Sequence, residues 1–321
     1  MPVKWRKAWS SMDFKHVPVL YEECISNLKI RVDGIYVDGT LGGGGHASGI
    51  AEHLSRKGML IGIDRDADAI EAAGKRLSDM ECKVELVHGN YSEITDILEK
   101  LGVNGIDGAL LDIGVSSFQL DNAERGFSYM HDAPLDMRMN RDDGFSAYDV
   151  INGYDKNRLT EVIRKYGEEK WARQIARVVV DRRPIETTLQ LVAAIDAAIP
   201  KKVRARDGSH PARRVFQALR IAVNDELEPL RASLEMLAGL LKPGGRLCVI
   251  AFHSLEDRIV KNAFRTLTDP CTCPKNIPVC VCGKKPVVRL ITRKPITAGE
   301  KELEMNPRAR SATLRIVEKL P

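Results

Sequence analysis

The segment that decides the fold is Ile35-Tyr-Val-Asp-Gly-Thr-Leu-Gly-Gly-Gly-Gly-His-Ala47. The apolar run at residues 35–37 predicts a short buried strand that ends at Asp38. A turn with glycine at positions 39, 42, 43, 44 and 45 follows. Apolar residues at positions 47, 50, 51 and 54 then predict one face of a helix. A strand, a glycine loop and a helix in this order are typical of an α/β domain that binds a ligand beside a helix N-terminus.

The chemistry of this loop favours one cofactor class over another. Glycine-rich loops of dinucleotide enzymes approach a pyrophosphate, but Asp38 precedes the glycines here and would repel a diphosphate. S-adenosylmethionine carries a sulfonium and an ammonium group and no phosphate, so the loop favours S-adenosylmethionine over a nicotinamide cofactor. A flexible turn without a ligand remains the alternative, because short glycine motifs give false positives.

The same strand-and-helix pattern recurs along the first third of the chain. Strands are predicted at residues 59–64, 84–87 and 108–113, with centres about 24 residues apart, the spacing of βα units in a parallel sheet. Each predicted strand ends in polar residues, which are Asp38, Asp64, Asn90 with Tyr91, and Asp112. Ligands of open α/β sheets bind at this edge, so we expect these side chains to surround the ligand.

Chemistry suggests a role for three of these residues. Asp64 can accept both ribose hydroxyls, or it can be the N-cap of the next helix, a role that Asp66 could equally fill. Tyr91 offers a flat face beside an adenine. Asp112 lies next to the position at which a methyl group would be delivered.

The pattern changes after residue 120, and the sheet domain is predicted to be discontinuous. Helical periodicity dominates residues 121–209, including a capping box formed by Thr187 and Gln190. A long helix is predicted from His210 through Leu227, and an apolar strand at residues 246–252 rejoins the parallel sheet. Residues 287–292 and 312–317 are predicted to form an antiparallel pair at the sheet edge. We therefore expect an α/β domain of residues 1–120 and 210–321, with an all-helical domain of residues 121–209 inserted into it.

Composition and charge point to a cytoplasmic protein with one basic region. The 321 residues are 44% hydrophobic and 29% charged, and no apolar run approaches a membrane span or a secretory signal. Residues 156–220 hold 16 of the 49 Lys and Arg residues but only 7 of the 44 Asp and Glu residues. The net charge of this segment is +9 in a chain of net charge +5, which indicates a polyanion-binding face or a solvated helical surface.

Several longer motifs resemble one known family. The chain is similar to the RsmH (MraW) family of S-adenosylmethionine-dependent 16S rRNA cytosine-N4 methyltransferases. The matching segments span nearly the whole chain: residues 16–20, Val37-Asp-Gly-Thr-Leu-Gly-Gly-Gly-Gly-His46, Gly62-Ile-Asp-Arg-Asp66, Leu111-Asp-Ile-Gly-Val-Ser-Ser117, Glu124-Arg-Gly-Phe-Ser128, Pro134-Leu-Asp-Met-Arg-Met139, Ala251-Phe-His-Ser-Leu-Glu-Asp-Arg-Ile-Val-Lys261 and Asn306-Pro-Arg-Ala-Arg-Ser311.

This resemblance implies a fold, a substrate and a set of site residues. The fold would be a Rossmann-like class I methyltransferase sheet with an inserted helical domain for rRNA recognition. The substrate would be the N4 of a cytosine in the decoding region of bacterial 16S rRNA, within the small ribosomal subunit. The implied cofactor contacts are Gly44, Gly45, His46, Asp64, Tyr91, Asp112 and Gln119.

Catalytic residues are harder to assign from the sequence. Methylation of a cytosine amine requires an acceptor for an amine hydrogen, because the nitrogen lone pair is delocalised into the ring. The Asp/Asn-Pro-Pro-aromatic turn of many amino methyltransferases is replaced here by Asp112-Ile-Gly-Val-Ser-Ser117. Asp112 is predicted to be that acceptor or a cofactor contact, and His253 a proton acceptor, a base contact or a structural histidine.

Two further questions stay open at this point. Cys271-Thr-Cys273 and Cys280-Val-Cys282 could bind zinc or remain reduced thiols, and no metal ligand is assigned to the site. A nicotinamide-dependent enzyme and a non-catalytic RNA-binding protein are the competing functions. Asp38 argues against the first, and the acids at the strand ends argue against the second.

Overall fold

A seven-stranded sheet forms the centre of the protein, in a computed structural model that describes residues 18–204, 210–274, 279 and 281–321. The strand order is β3-β2-β1-β4-β5-β7-β6, and β7 runs antiparallel to both of its neighbours. This order confirms the predicted Rossmann-like α/β fold and the antiparallel pair at the edge. The strands are β1 (Ile35–Asp38), β2 (Met59–Asp64), β3 (Lys83–His88), β4 (Ile106–Asp112), β5 (Leu241–Ala251), β6 (Val288–Leu290) and β7 (Thr313–Lys319).

Both faces of the sheet are covered because its central strands are apolar on both sides. Val37 and Leu111 point into one buried cluster, whereas their neighbours Tyr36 and Leu110 point into a second one. This alternation follows from the two-residue period of a strand. The flanking helices are α1 (Tyr21–Leu28), α2 (Gly45–Ala51), α3 (Ala67–Leu77), α4 (Ile94–Lys100), α12 (Leu227–Leu240), α13 (Ser254–Thr268) and α14 (Glu300–Met305).

The segment between β4 and β5 builds a third apolar cluster from helices. The predicted capping box is confirmed, since Thr187 and Gln190 exchange side-chain-to-backbone hydrogen bonds at the start of α9. The core of this part extends into α11, which contributes Phe216 and Leu219. The helices are α5 (Ser117–Asp121), α6 (Ala147–Gly153), α7 (Lys156–Gly167), α8 (Ala172–Asp181), α9 (Thr188–Ala198), α10 (Lys201–Arg204) and α11 (Ala212–Asn224).

Some sequence-based predictions fall on residues that the structure does not describe. These are the domain boundary at residue 209, the match at residues 16 and 17, and Cys280. The division into residues 1–120 with 210–321 and an insertion of residues 121–209 therefore stays a prediction.

The prediction of one continuous helix from His210 through Leu227 is wrong, because the helix is interrupted. α11 ends at Asn224, Asp225 adopts a left-handed conformation with φ of 45°, and Leu227 begins α12. Asn224 is 2% exposed, and its side chain binds backbone groups that are distant in the sequence. Its Nδ2 donates to the Met137 carbonyl at 2.8 Å, and its Oδ1 accepts from the Met139 N–H at 2.7 Å. These long-range bonds fix the helix end, and helical periodicity carries no signal for them.

A buried arginine joins the sheet to the helical part. Arg125 ends a 3-10 helix (Ala123–Arg125) and is 0% exposed. Its Nη1 donates to Asp66 Oδ2 at 2.9 Å, and its Nη2 donates to the carbonyls of Arg138 at 3.0 Å and Met139 at 2.9 Å. One guanidinium therefore connects the residues after β2 to the loop that enters the helical part.

We expect Arg125→Met to destabilise the protein by about 3–5 kcal/mol, because Asp66 would be left as an uncompensated buried charge. Arg308→Met is the matched control, since Arg308 pairs with Asp121 at 2.6 Å but both side chains are about 40% exposed. An exposed pair contributes about 0–1 kcal/mol. Urea unfolding measures both changes. Equal losses of unfolding free energy in the two variants would show that Arg125 contributes no more than an exposed ion pair does.

Candidate functional site

The carboxyl ends of β1, β2 and β4 lie side by side and bring three acids to one edge. In the parallel register, Asp38 faces Gly62 of β2 on one side and Leu110 of β4 on the other. Asp64 and Asp112 are the last residues of β2 and β4. The strand register therefore places these acids along a single edge of the sheet, as the sequence predicted.

Asp38 is the most deeply buried of the three. It is 1% exposed, and its Oδ1 accepts a hydrogen bond from the Thr40 N–H at 3.2 Å. Its pKa is raised to about 7, mainly by burial and also by the Asp64 charge, while the hydrogen bonds of Thr40 act in the opposite direction. A carboxylate that is this costly to ionise favours a positively charged neighbour.

Asp64 holds the glycine loop in place. Its Oδ2 accepts from the Gly42 N–H at 2.7 Å and its Oδ1 from the Asp66 N–H at 2.9 Å. Burial raises the pKa of Asp64, and these backbone hydrogen bonds counteract it. The N-cap of α3 is Asp66, whose side chain accepts from the Asp68 N–H, so the N-cap alternative considered for Asp64 is wrong.

The glycines let this loop lie open at its centre. Gly42 and Gly44 have φ of 50° and 75°, in the left-handed region that favours glycine. No heavy atom lies within 4 Å of the position that a Cβ on Gly43 would occupy, whereas a Cβ on Gly45 would lie 2.5 Å from Pro18 Cγ. The backbone at Gly43 is therefore open to a ligand, whereas Gly45 packs closely against Pro18.

Asp112 carries an unsatisfied atom at the centre of this edge. Its Oδ1 is inaccessible to solvent and has no hydrogen-bond partner among the described residues. Burial raises its pKa to about 8, with further contributions from Asp38 and Glu256. Buried polar atoms in folded proteins are nearly always paired, so an unpaired carboxylate oxygen here indicates a ligand that brings a donor or a cation.

His46 cannot supply that positive charge. It is 5% exposed, and burial lowers its pKa to about 4, so the ring is neutral at pH 7. Its Nε2 faces the Val19 carbonyl at 3.0 Å and is therefore the protonated nitrogen. Its Nδ1 lies 3.7 Å from Asp112 Oδ2 as a neutral acceptor and does not compensate the carboxylate.

His253 caps a helix beside the same edge. It is the N-cap of α13, its Nδ1 accepts from the Glu256 N–H at 3.3 Å, and its Nε2 lies 2.8 Å from Glu256 Oε1. Glu256 is 0% exposed, and its Oε2 accepts from the Phe252 N–H at 2.8 Å. The structural role considered for His253 is therefore present, and its role as a proton acceptor stays a prediction.

Arg220, which no sequence motif indicated, completes this cluster. Its guanidinium donates two hydrogen bonds of 2.8 Å to Glu226, and its Nη2 lies 3.3 Å from Glu256 Oε1 and 3.4 Å from His253 Nε2. Burial alone would raise the pKa of Glu256, but the hydrogen bond from His253 and the Arg220 charge outweigh it, and the pKa is lowered. Helical spacing could have indicated this position, because Arg220 follows the buried Phe216 by four residues and so lies on the same face of α11.

The remaining predicted contacts lie on the same side of the sheet. Tyr91 begins a 3-10 helix after β3 and packs over Gly39, where an added Cβ would lie 3.0 Å from the Tyr91 Cβ. Gln119 is 4% exposed, its Nε2 donates to Asp66 Oδ2 at 2.9 Å, and its Oε1 accepts from the Ser116 N–H at 3.1 Å. Both ends of the Gln119 amide are therefore engaged within the protein. The cofactor contacts assigned to Gly44, Gly45, His46, Asp64, Tyr91, Asp112 and Gln119 stay predictions.

Within the described part of the chain, no helix has both the length and the apolar character needed to cross a bilayer.

Comparison with known proteins identifies the family. Residues 13–320 match the family described as the MraW methylase family. Two relatives named ribosomal RNA small subunit methyltransferase H, from Clostridioides difficile (strain 630) and Clostridium botulinum (strain Loch Maree / Type A3), are each 54% identical over 312 residues, which cover 96% of this chain and 100% of the relative. An rRNA methylase structure from Streptococcus thermophilus aligns with a TM-score of 0.41 and 12% identity over 94% of each chain. The match to the family and the 54% identity confirm the resemblance found in the sequence: the chain belongs to the MraW methylase family.

Proposed function

We propose that this protein transfers the methyl group of S-adenosylmethionine to the exocyclic N4 of a cytosine in the decoding region of bacterial 16S rRNA, in the cytoplasm. Membership of a methylase family supports the reaction class. The relatives' name, which specifies small-subunit ribosomal RNA, supports the substrate. The observation that carries the assignment is the buried Asp112 Oδ1, which has no partner within the described chain at the end of β4.

The acidic edge fits S-adenosylmethionine better than a phosphate-bearing cofactor. Two acids with raised pKa values, Asp38 and Asp112, would be stabilised in the ionised form by a sulfonium or ammonium group. Asp64 would accept the ribose hydroxyls through lone pairs that its two backbone hydrogen bonds leave available. Tyr91 would lie beside the adenine, and Gly43 would permit close approach to the loop backbone. When bound, S-adenosylmethionine supplies an electrophilic methyl group.

Asp112 has the properties needed to activate an amine. An acceptor for one N4 hydrogen lets the nitrogen lone pair leave conjugation with the ring, and it stabilises the positive charge that develops. A bound sulfonium would favour the ionised form of Asp112, whose pKa is otherwise raised to about 8, and this carboxylate would then take the proton that methylation releases. The cluster of Arg220, His253 and Glu256 holds the start of α13 beside this position.

The inserted helical domain of residues 121–209 would bind the rRNA backbone. Three cations, Arg164, Lys165 and Arg173, outnumber one acid, Glu161, in an open groove on α7 and α8 that Asn157 and Thr160 also line. Cations in such a groove contact phosphates, which fixes the register of the RNA and leaves base selection to the active site. Residues 156–209 of this domain hold 13 Lys and Arg residues against 7 Asp and Glu residues, a net charge of +6 that supports this assignment.

Methyl transfer can be measured directly on small subunits and on free 16S rRNA that lack the modification. With S-adenosylmethionine labelled at the methyl group, we expect label in N4-methylcytidine after nucleoside digestion. Asp112→Asn should reduce the rate by about 10²–10⁴-fold, because the amide cannot take a proton. Asp79→Asn, at an exposed position, is the control. Label on another nucleoside, or none, would contradict the proposal.

Cofactor affinity should rise with pH. Asp38 and Asp112, with pKa values raised to about 7 and about 8, are largely protonated at pH 6 and must ionise to attract a sulfonium. Since binding then releases protons, the dissociation constant should fall as the pH rises from 6 to 9, by at most about tenfold per pH unit for each group.

Calorimetry in buffers of different ionisation enthalpy counts the released protons. Asp112→Asn should flatten the profile, and S-adenosylhomocysteine, which lacks the sulfonium, should show a smaller pH dependence. A flat profile for the unmodified protein would disprove the coupling.

Charge reversal in the groove should weaken RNA binding without affecting the cofactor. For Arg164→Glu combined with Arg173→Glu, we expect weaker binding to 16S rRNA and a smaller slope of log K against log salt, by about 0.7–0.9 per lost phosphate contact. Arg56→Glu is the matched control, since Arg56 is 83% exposed on the α/β part. Affinity for S-adenosylmethionine should be unchanged in both. An unchanged salt slope in the double variant would place the RNA elsewhere.

A further inference from the structure

The described part of the connection between α13 and β6 contributes no buried residue to an apolar core. None of its described residues from Asp269 to Val287 is buried, and Val279 and Val281 are 70% and 80% exposed. A connection of this length is uncommon in a compact domain unless it has a function or another means of being held. Small folds that lack a core are often held by a structural metal ion.

Three cysteine thiols of this connection converge. The Sγ atoms of Cys271, Cys273 and Cys282 all lie within 4.8 Å of one another. The Sγ atoms of Cys271 and Cys282 are 3.9 Å apart, far beyond the roughly 2.05 Å of a disulfide. Tetrahedral zinc binds thiolates at about 2.3 Å, which places pairs of sulfur atoms about 3.8 Å apart. The observed spacing is therefore that of ligands around one ion.

The backbone around the thiols also suits thiolate ligands. The Val281 N–H donates to Cys273 Sγ at 3.4 Å, and such bonds stabilise a ligating sulfur. Gly283, directly after Cys282, has φ of 67°, a conformation that turns the chain away at the ligand.

We propose that Cys271, Cys273 and Cys282 bind a single zinc ion that holds this connection. Thiol sulfur atoms as the only protein ligands are typical of zinc or of an iron–sulfur cluster. A [2Fe–2S] cluster places at most two thiolates on one iron, and a [4Fe–4S] cluster places one on each. Three sulfur atoms within 4.8 Å of one another therefore favour a single ion, for which zinc is the usual metal.

The site is structural, because it lies far from the acidic edge. α13 begins beside His253 at that edge and runs for 15 residues before the cysteines, a length of about 22 Å. Zinc would therefore order the connection into β6 without taking part in methyl transfer. The inference is independent of the proposed function.

Metal analysis of the purified chain, prepared without chelator, tests this assignment. We expect about one zinc per chain, and its loss in Cys271→Ser, Cys273→Ser and Cys282→Ser. Cys82→Ser is the matched control, because Cys82 is a buried thiol of the α/β core outside the cluster. Cobalt(II) in place of zinc should give the intense thiolate charge-transfer and visible bands of tetrahedral coordination.

A second measurement separates the metal site from the active site. Cys273→Ser should bind S-adenosylmethionine as the unmodified chain does, while trypsin should cleave faster after Lys284, which is exposed and is followed by Lys285. Zinc content that is unchanged in all three serine variants would overturn the proposal. So would iron–sulfur absorbance in the isolated protein, or a disulfide among these cysteines under reducing preparation.

Discussion

The structure depends on keeping carboxylates buried at one sheet edge without a compensating cation. Asp38 and Asp112 have pKa values raised to about 7 and about 8 by burial, and one oxygen of Asp112 has no partner among the described residues. His46, whose Nδ1 lies 3.7 Å from Asp112 Oδ2, is held neutral by its own burial. An edge of this kind is costly for the ligand-free protein, and a bound cation relieves that cost.

Each buried arginine near this edge binds an acid other than Asp112. Arg125 binds Asp66, and Arg220 binds Glu226 and Glu256. Because these short, charge-assisted bonds satisfy the guanidinium groups, neither group is directed at Asp112. The protein thus places carboxyl groups without a compensating cation at the end of β4, where a bound cation would stabilise their ionised form. That distribution selects for a sulfonium cofactor and against a pyrophosphate, as the position of Asp38 before the glycines suggested from sequence.

Sequence pattern predicted those features that depend on local periodicity or on strand order. The strands and the acids at their ends followed from spacing alone, because parallel strands place their carboxyl ends together. Features that depend on distant pairs were not predictable in this way. Arg125 meets Asp66 across 59 positions, and the break after Asn224 depends on Met137, 87 positions away. His253 and Glu256 are three residues apart, but their capping box shows only in the structure.

The same buried contacts that shape the acidic edge also orient the helical part. The loop after Arg125 is bound at the sheet side through Asp66 and at the helical side through Asn224, and Met137 between them is 0% exposed with φ of 59°. A non-glycine residue adopts this backbone conformation only when its surroundings enforce it. The loop is therefore a rigid connection, so that the basic face of α7 and α8 has a defined direction relative to Asp112. Under the proposed function, phosphates bound on that face would position one nucleotide at Asp112, although the face itself reads no base.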